Sequence, residues 1–145
     1  MENPQRDMLK DISLVYRKTQ MYLNERTKQV QLSSGLAPFI MITCENGKMT
    51  QNRFCELLDI SKSTVTKMLS KLEALGYVTR VENQDDARSV DVYPTQKARE
   101  IYPYLISIGQ DWMDEITQGL TKIERSIFLE MLEKISLNTS RYFEK

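Results

Sequence analysis

One stretch of this sequence, Ser61–Ala74, combines residue types that could hydrogen-bond to and neutralise a polyanion. On a helical wheel at about 100° per residue, five of its hydroxyl and ammonium side chains share one side with Ala74, while Glu73 lies between the two sides. The polar side contains Ser63, Thr66, Lys67, Ser70, Lys71 and Ala74, and the apolar side contains Val65, Met68, Leu69, Leu72 and Leu75. Short hydroxyl residues let a backbone approach base edges and lysines reach phosphates, so the polar side favours contact with a nucleic acid duplex. The alternative is an ordinary solvated helix face.

The composition excludes several other kinds of chemistry. The 145 residues include no histidine, which removes Ser-His-Asp and Cys-His catalytic groups, histidine-ligated haem and zinc sites that need an imidazole. The sequence also contains no Gly-rich phosphate loop, nucleophile elbow or metal-ligand cluster. We therefore expect a protein that is not an enzyme and that uses neither a metal nor a cofactor.

The cysteines and the apolar runs indicate the compartment. Cys44 and Cys55 are too few for a disulfide scaffold and are typical of a reducing environment. Their apolar-flanked helix positions favour a structural role, while a redox role would need a nearby cation, for which Arg53 is the candidate. The longest apolar run, Phe39–Ile42, is far shorter than the ~20 residues of a spanning helix, and the polar N-terminus is unlike a signal peptide. We expect a cytoplasmic protein with no membrane partner.

Two helices are predicted before the helix-turn-helix. Apolar residues spaced by three and four from Met8 onward indicate a long helix, which Ser33–Gly35 interrupts. A dense apolar pattern over Leu36–Cys44 indicates a second helix, and the Glu45–Gly47 turn ends it.

A short third helix and the helix that carries the polar side follow in sequence. Thr50 is a predicted N-cap for the third helix, whose apolar residues Phe54, Leu57 and Leu58 are expected to point inward. Ser61 is a predicted N-cap for the fourth helix, which Gly76 ends. Two helices joined by a tight turn make a helix-turn-helix.

A hairpin is predicted directly after these helices. Tyr77–Val81 and Ser89–Tyr93 alternate as strands, and the charged loop Glu82–Arg88 joins them. A helix-turn-helix followed by a two-stranded ribbon is a winged helix, and a guanidinium at the ribbon tip can enter a minor groove. The alternative for Arg88 is an ion pair within the loop, with Asp85 or Asp86.

Two further helices complete the predicted order. The first begins after Thr95, and Pro103 predicts a kink in it or a late start near the proline. Gly119 ends it, and Thr121 with Glu124 has the form of a capping box that opens the last helix.

Three segments together resemble the MarR family of bacterial regulators: Leu57–Thr66, Leu72–Arg80 and Asp86–Val92. The last of these is similar to the wing signature of that family, in which an aspartate and an arginine flank one residue. Two positions depart from the family pattern at the exit from the wing. Pro94 stands where leucine is usual, and Ala98 stands where glycine is common.

The resemblance implies a mostly α fold with a small β-hairpin wing, a winged helix-turn-helix flanked by N- and C-terminal dimerisation helices. The expected boundaries are 1–34 for the N-terminal dimerisation helix, 35–94 for the DNA-binding region and 95–145 for the C-terminal dimerisation helices, all in one intertwined domain. The terminal helices also carry broad apolar faces that a small winged helix cannot cover alone. We expect a homodimer.

The function expected from the resemblance is that of a sequence-specific regulator bound to a near-palindromic site on double-stranded DNA, acting as a repressor that a ligand releases. Asp86 is expected to orient the wing. The residues expected to contact DNA are Thr50, Gln51, Ser61, Lys62, Ser63, Thr64, Thr66, Lys67, Ser70, Lys71, Arg80 and Arg88. A small aromatic effector is expected in a pocket lined by Tyr16, Phe39, Met41 and Trp112, for which the alternative is plain core and interface packing.

The charge distribution leaves a second function open. The chain has 20 basic and 20 acidic residues, and residues 48–93 carry seven of each. The positive charge is local, because the fourth helix has Lys62, Lys67 and Lys71 against Glu73 alone. This local positive charge is smaller than that of the basic domain usual for a DNA-binding protein. The alternative function is therefore that of a winged helix that binds another protein and not DNA.

Overall fold

A computed structural model describes residues 3–144, apart from the side chain of Arg6, and its elements follow the predicted order. The helices are α1 Pro4–Thr27, α2 Ala37–Asn46, α3 Gln51–Leu58, α4 Lys62–Ala74, α5 Gln96–Ile116 and α6 Lys122–Phe143, with a short 3-10 helix at Lys28–Val30. The strands are β1 Met49–Thr50, β2 Val78–Glu82 and β3 Val90–Pro94. The predicted fold class, mostly helical with a small antiparallel wing, is confirmed. The described residues form two compact units, one up to Gln110 and one from Asp111 onward.

Local side-chain chemistry sets most of the helix ends. The Ser61 hydroxyl accepts a hydrogen bond from the Thr64 amide at 3.2 Å and caps α4. At α6, Thr121 and Glu124 form both hydrogen bonds of the predicted capping box. Thr50 precedes α3 as predicted, but its side chain makes no capping hydrogen bond.

The sheet contains a third strand that the sequence did not predict. Its order is β1-β3-β2, with both pairs antiparallel. Met49 lies opposite Val92 and Thr50 lies opposite Asp91. Because β1 runs directly into α3, this pairing ties the base of the wing to the start of the helix-turn-helix.

The core of the first unit joins α2, α3, α4, the sheet and α5. Within it, Phe39 of α2 packs against Phe54 of α3, with ring centroids 5.0 Å apart. The buried apolar residues are Leu32, Leu36, Phe39, Ile40, Phe54, Val65, Leu69, Leu72, Tyr77, Val78, Val92, Ala98, Leu105 and Ile108. This core holds α4 by its apolar side.

Two predictions about apolar positions and helix starts were wrong. Leu57 is 46% exposed, because Phe54, Cys55 and Leu58 form the core side of the short helix α3 and Leu57 lies about 110° from its centre. A late start of α5 near Pro103 is also wrong, since the helix runs from Gln96 through the proline. The Thr95 hydroxyl accepts from the Ala98 amide at 3.2 Å and begins the helix well before Pro103.

Long apolar faces on α1 and α6 are exposed in the single chain. On α1 the exposed apolar residues are Met8, Leu9, Ile12, Leu14, Val15, Tyr16 and Met21. On α6 they are Ile123, Ile127, Phe128, Leu129, Met131, Leu132, Ile135, Leu137, Tyr142 and Phe143. Within the described residues, none of the helices has the length and apolar character needed to span a membrane.

The turn between α3 and α4 depends on a left-handed residue. Asp59 has φ 53° and ψ 50°, and its amide donates to the Cys55 carbonyl. Aspartate and asparagine tolerate this conformation, whereas a β-branched residue does not. We expect Asp59→Val to lower the free energy of unfolding by about 1–2 kcal/mol and Asp59→Asn to leave it nearly unchanged, in urea titrations at equal protein concentration.

Asn52→Val is the matched control, because Asn52 is exposed in α3 and has ordinary helical geometry. It should change the free energy of unfolding by less than about 0.5 kcal/mol. Equal stabilities of Asp59→Val and Asp59→Asn would contradict the role assigned to the turn.

Candidate nucleic-acid interface

Helix α4 faces the way that its sequence predicts. Val65, Leu69 and Leu72 are fully buried, with 0% exposure. Met68 and Leu75 are half-buried. All six residues of the predicted polar side are exposed: Ser63, Thr66, Lys67, Ser70, Lys71 and Ala74. The division of α4 into a core side and an outward side is therefore confirmed.

The first turn of α4 presents a group of linked hydroxyls. The Ser61 hydroxyl lies 2.8 Å from that of Thr64 and 3.2 Å from that of Ser63. Lys62 and Ser63 are exposed, and Thr64 is half-buried. Backbone N–H groups and the positive end of the helix dipole are also at this terminus, so the turn suits an anionic oxygen such as that of a phosphate.

Gln51 connects α3 to the outward side of α4. Its side-chain amide nitrogen donates to the Thr66 hydroxyl at 2.8 Å, and that hydroxyl donates in turn to the Lys62 carbonyl at 3.0 Å. The side-chain oxygen of Gln51 is buried and has no hydrogen-bond partner in the described part of the chain. Thr66 consequently offers a methyl group and an acceptor lone pair to the outside, because its hydroxyl hydrogen is engaged within α4.

Arg80 neutralises the one carboxylate on α4. Its guanidinium donates to Glu73 and to the Ser70 hydroxyl, both at 3.1 Å, and its backbone amide donates to Glu73 at 3.0 Å. The hydrogen bond from the Arg80 side chain lowers the pKa of Glu73 below its usual value. Glu73 therefore stays ionised and paired at neutral pH, and it adds no free negative charge beside the lysines. Within the described residues, the Nε and Nη1 groups of Arg80 donate to no acceptor, so they can bind another one.

Four cations at this surface have no partner within residues 3–144. Lys62, Lys67, Lys71 and Arg88 are all exposed, and none of their side chains forms a hydrogen bond or an ion pair there. The alternative ion pair of Arg88 within its loop is absent from this described range. The Asp86 carboxylate instead accepts from the backbone amide of Arg88 at 3.0 Å, which orders the loop and leaves the guanidinium free.

The residues expected to line an effector pocket lie in different environments. Tyr16 on α1 is 64% exposed, whereas Phe39 on α2 is 1% exposed and belongs to the core. Met41 is half-buried in the first unit, and Trp112 is half-buried in the second. A surface groove at residues 135–143 of α6 and another between Gln29 and Ile101 in the first unit are lined by none of these four residues.

The cysteines are free thiols and are half-buried. Burial raises the pKa of the Cys44 thiol, and the nearby Arg99 offsets this only in part. A raised pKa disfavours the reactive thiolate, which supports a structural role for Cys44.

Sequence reasoning missed Asn83 and Asp91, whose side chains are joined by hydrogen bonds of 3.2 and 3.0 Å in the wing. Asp91 is 5% exposed and lies in the central strand β3. Aspartate is depleted in strands, so its occurrence between Val90 and Val92 is a signal that could have marked it.

The comparisons with known proteins agree with this geometry. A model of the MarR family matches residues 37–89. The chain is 22% identical to the uncharacterized HTH-type transcriptional regulator YybA of Bacillus subtilis (strain 168), over 95% of this chain and 92% of that protein. The crystal structure of the transcriptional regulator SlyA matches with a TM-score of 0.89 at 25% identity, over 95% of this chain and 97% of that one.

A mutant MarR from E. coli, crystallised in complex with operator DNA, has the same fold, with a TM-score of 0.78 at 23% identity over 92% of this chain and 99% of that chain. The family model spans α2, the helix-turn-helix and the wing up to Ser89, and the other matches extend over nearly the whole chain. The chain is therefore similar to the MarR family in its DNA-binding region, and similar to winged-helix transcriptional regulators over nearly its whole length.

Proposed function

We propose that this protein is a cytoplasmic regulator that binds double-stranded DNA sequence-specifically as a homodimer, and that it acts as a repressor released by a small aromatic ligand. The outward side of α4 carries the proposal, because it combines exposed hydroxyls with lysines that have no partner in the described residues. Solved complexes support the choice of DNA, since a MarR of the same fold was crystallised with operator DNA.

The proposed contacts divide by chemistry. Lys62, Lys67 and Lys71 reach phosphates, which supply affinity without sequence information. Ser63, Thr66 and Ser70 are short enough to meet base edges in the major groove. The remaining proposed contacts are Thr50, Gln51, Ser61, Thr64 and Arg80, of which Gln51 and Arg80 also hold α4 in place. Arg88 extends from the wing toward the minor groove.

The apolar faces of α1 and α6 support a dimer. Both faces are long and apolar, and burial of apolar surface stabilises an assembly by roughly 25 cal/mol per Å². A two-fold dimer would present two copies of α4 to one duplex, at a half-site spacing of about 34–36 Å. It would also double the number of phosphate contacts, which offsets the zero net charge of each chain. In domain terms, we propose residues 1–34 and 95–145 for dimerisation and 35–94 for DNA.

Ligand release is proposed from the resemblance to the MarR family. We propose that an aromatic ligand contacts Tyr16, Phe39, Met41 and Trp112 and weakens DNA binding. The contact between Phe39 and Phe54 supports such a link, because it joins α2 to the first helix of the helix-turn-helix.

Removing a cation from α4 should weaken DNA binding without unfolding the protein. We expect Lys67→Ala to lower the affinity for a duplex that the wild-type protein enriches from a random pool. The slope of log affinity against log salt should fall in magnitude by about 2, one for each copy of Lys67 in the dimer. Fluorescence anisotropy across a salt series measures both, and the melting temperature should change little because Lys67 is exposed.

Lys122→Ala is the matched control, because Lys122 is an exposed lysine on neither α4 nor the wing. It should keep the wild-type affinity and slope. Equal binding by Lys67→Ala and the wild-type protein would contradict the proposed surface, and a wild-type protein that enriches no duplex would favour a protein-binding winged helix.

A charge within the apolar faces should prevent dimerisation. Ile12 and Ile135 are 54% and 55% exposed in the single chain, and burying an unpaired carboxylate at their positions would be costly. We expect Ile12→Glu and Ile135→Glu to shift sedimentation from the mass of two chains to that of one, and to weaken DNA binding. Lys10→Glu, on the polar side of α1, should remain dimeric. Dimers of unchanged stability in both isoleucine variants would contradict this interface.

A ligand that binds the folded protein must raise its melting temperature. We therefore expect some member of a panel of aromatic acids to raise the melting temperature and to release the labelled duplex, and Trp112→Ala to reduce both effects. A compound that raises the melting temperature but leaves DNA binding unchanged would contradict ligand release.

A further inference from the structure

The loop at the wing tip is held by one asparagine. The Asn83 side-chain nitrogen donates to both carboxylate oxygens of Asp91, at 3.2 and 3.0 Å. Its side-chain oxygen accepts from the backbone amides of Asp85 and Asp86, at 2.9 and 3.0 Å. Through these four hydrogen bonds, the Asn83 side chain connects the central strand β3 to the loop.

Asp91 is the fixed end of this arrangement. It is 5% exposed and lies in β3, opposite Thr50 of β1 and Val81 of β2. A buried carboxylate is unfavourable unless it is hydrogen-bonded or paired. Asn83 supplies the hydrogen bonds, and the Lys48 ammonium, 3.8 Å away, supplies a partly exposed countercharge.

The arrangement continues from Asn83 to Arg88. The backbone amide of Asp86 donates a hydrogen bond to Asn83. The carboxylate of Asp86 in turn accepts a hydrogen bond from the backbone amide of Arg88, at 3.0 Å. The loop is closed by two backbone hydrogen bonds of 3.0 Å, from Asn83 to the Ser89 carbonyl and from Ser89 to the Asp86 carbonyl. The backbone at Arg88 is therefore ordered, while its guanidinium has no partner in the described residues.

We propose that Asp91 and Asn83 are positioning residues that hold the wing tip so that Arg88 meets DNA in a prearranged place. This inference rests on the proposed DNA binding and adds two residues that do not touch the duplex themselves. We call the hydrogen bonds of Asn83 with Asp91 and with the amides of Asp85 and Asp86 the clamp. An ordered loop loses less conformational entropy on binding than a free one, so the clamp raises the affinity for DNA through Arg88.

Exchanging the two side chains tests the proposal. Asn83→Asp keeps an acceptor for the loop amides but sets a second carboxylate against Asp91, so it should open the clamp. We expect its affinity for the enriched duplex to fall to about that of Arg88→Ala. The double variant Asn83→Asp/Asp91→Asn restores a donor and acceptor pair with the positions reversed, and should recover affinity to within about threefold of wild type. Asp91→Asn alone retains one acceptor for Asn83, so its affinity for the duplex should lie between those of Asn83→Asp and the double variant.

A double-mutant cycle separates positioning from general damage. If Asn83 acts through Arg88, adding Asn83→Asp to Arg88→Ala should weaken binding by no more than about twofold. Added to Lys67→Ala, the same substitution should produce its full effect, because Lys67 is on α4. Full, multiplied effects in both backgrounds would overturn the proposal, as would failure of the exchanged pair to recover affinity.

Amide hydrogen exchange without DNA reports the clamp itself. The amides of Asp86 and Arg88 should exchange faster in Asn83→Asp and return toward wild-type rates in the exchanged pair. Unchanged amide exchange rates in Asn83→Asp would contradict the clamp but not the proposal that the protein binds DNA. A wild-type protein that enriches no duplex would instead contradict the proposed function, and with it the role of the clamp, even where exchange shows that the clamp forms.

Discussion

The burial of Val65, Leu69 and Leu72 is the constraint on which the proposed surface depends. These side chains have 0% exposure, and moving each of them into water would cost about 1.5–3 kcal/mol. The rotation of α4 about its axis is therefore fixed by its apolar residues, and the outward direction of Thr66 and Lys67 follows from it. Contacts from α3 and β2 reinforce this orientation, since Gln51 holds the Thr66 hydroxyl and Arg80 holds Glu73.

A chain with zero net charge can still present a cationic surface when its acidic groups are engaged elsewhere. Glu73 is paired with Arg80, and Asp91 is buried beneath Asn83 and Lys48. The lysines of α4 have no such partners in the described range. The local field is therefore more positive than the sequence total suggests, and it would be effective only near the duplex because salt screens it beyond about 10 Å.

The sequence was most informative where the structure depends on local chemistry. The spacing of apolar residues predicts both sides of α4, and the side chains of Ser61 and Thr121 predict the starts of α4 and α6. The two-residue strand β1 was missed, because a period of two cannot be recognised over two residues. Leu57 was assigned to the core because spacing does not show how narrow the contact side of an eight-residue helix is.

The interactions that connect distant segments could not be predicted. Nothing near Arg80 in the sequence indicates that Glu73 and Ser70 engage its guanidinium. The bonds from Asn83 to Asp91 likewise depend on the pairing of β2 with β3. The wing signature did identify Asp86, but the backbone bond that it accepts from Arg88 is a feature of the folded loop.

Site-directed photo-crosslinking is the most direct test of the claim that the outward side of α4 and the wing tip meet DNA. A photoreactive amino acid would replace Lys67, Arg88 or, as a reference, Lys122, and each protein would be irradiated with the enriched duplex under conditions where it binds. The account predicts crosslinks from positions 67 and 88 and none from position 122. Bound duplex that crosslinks at position 122 but at neither 67 nor 88 would contradict it.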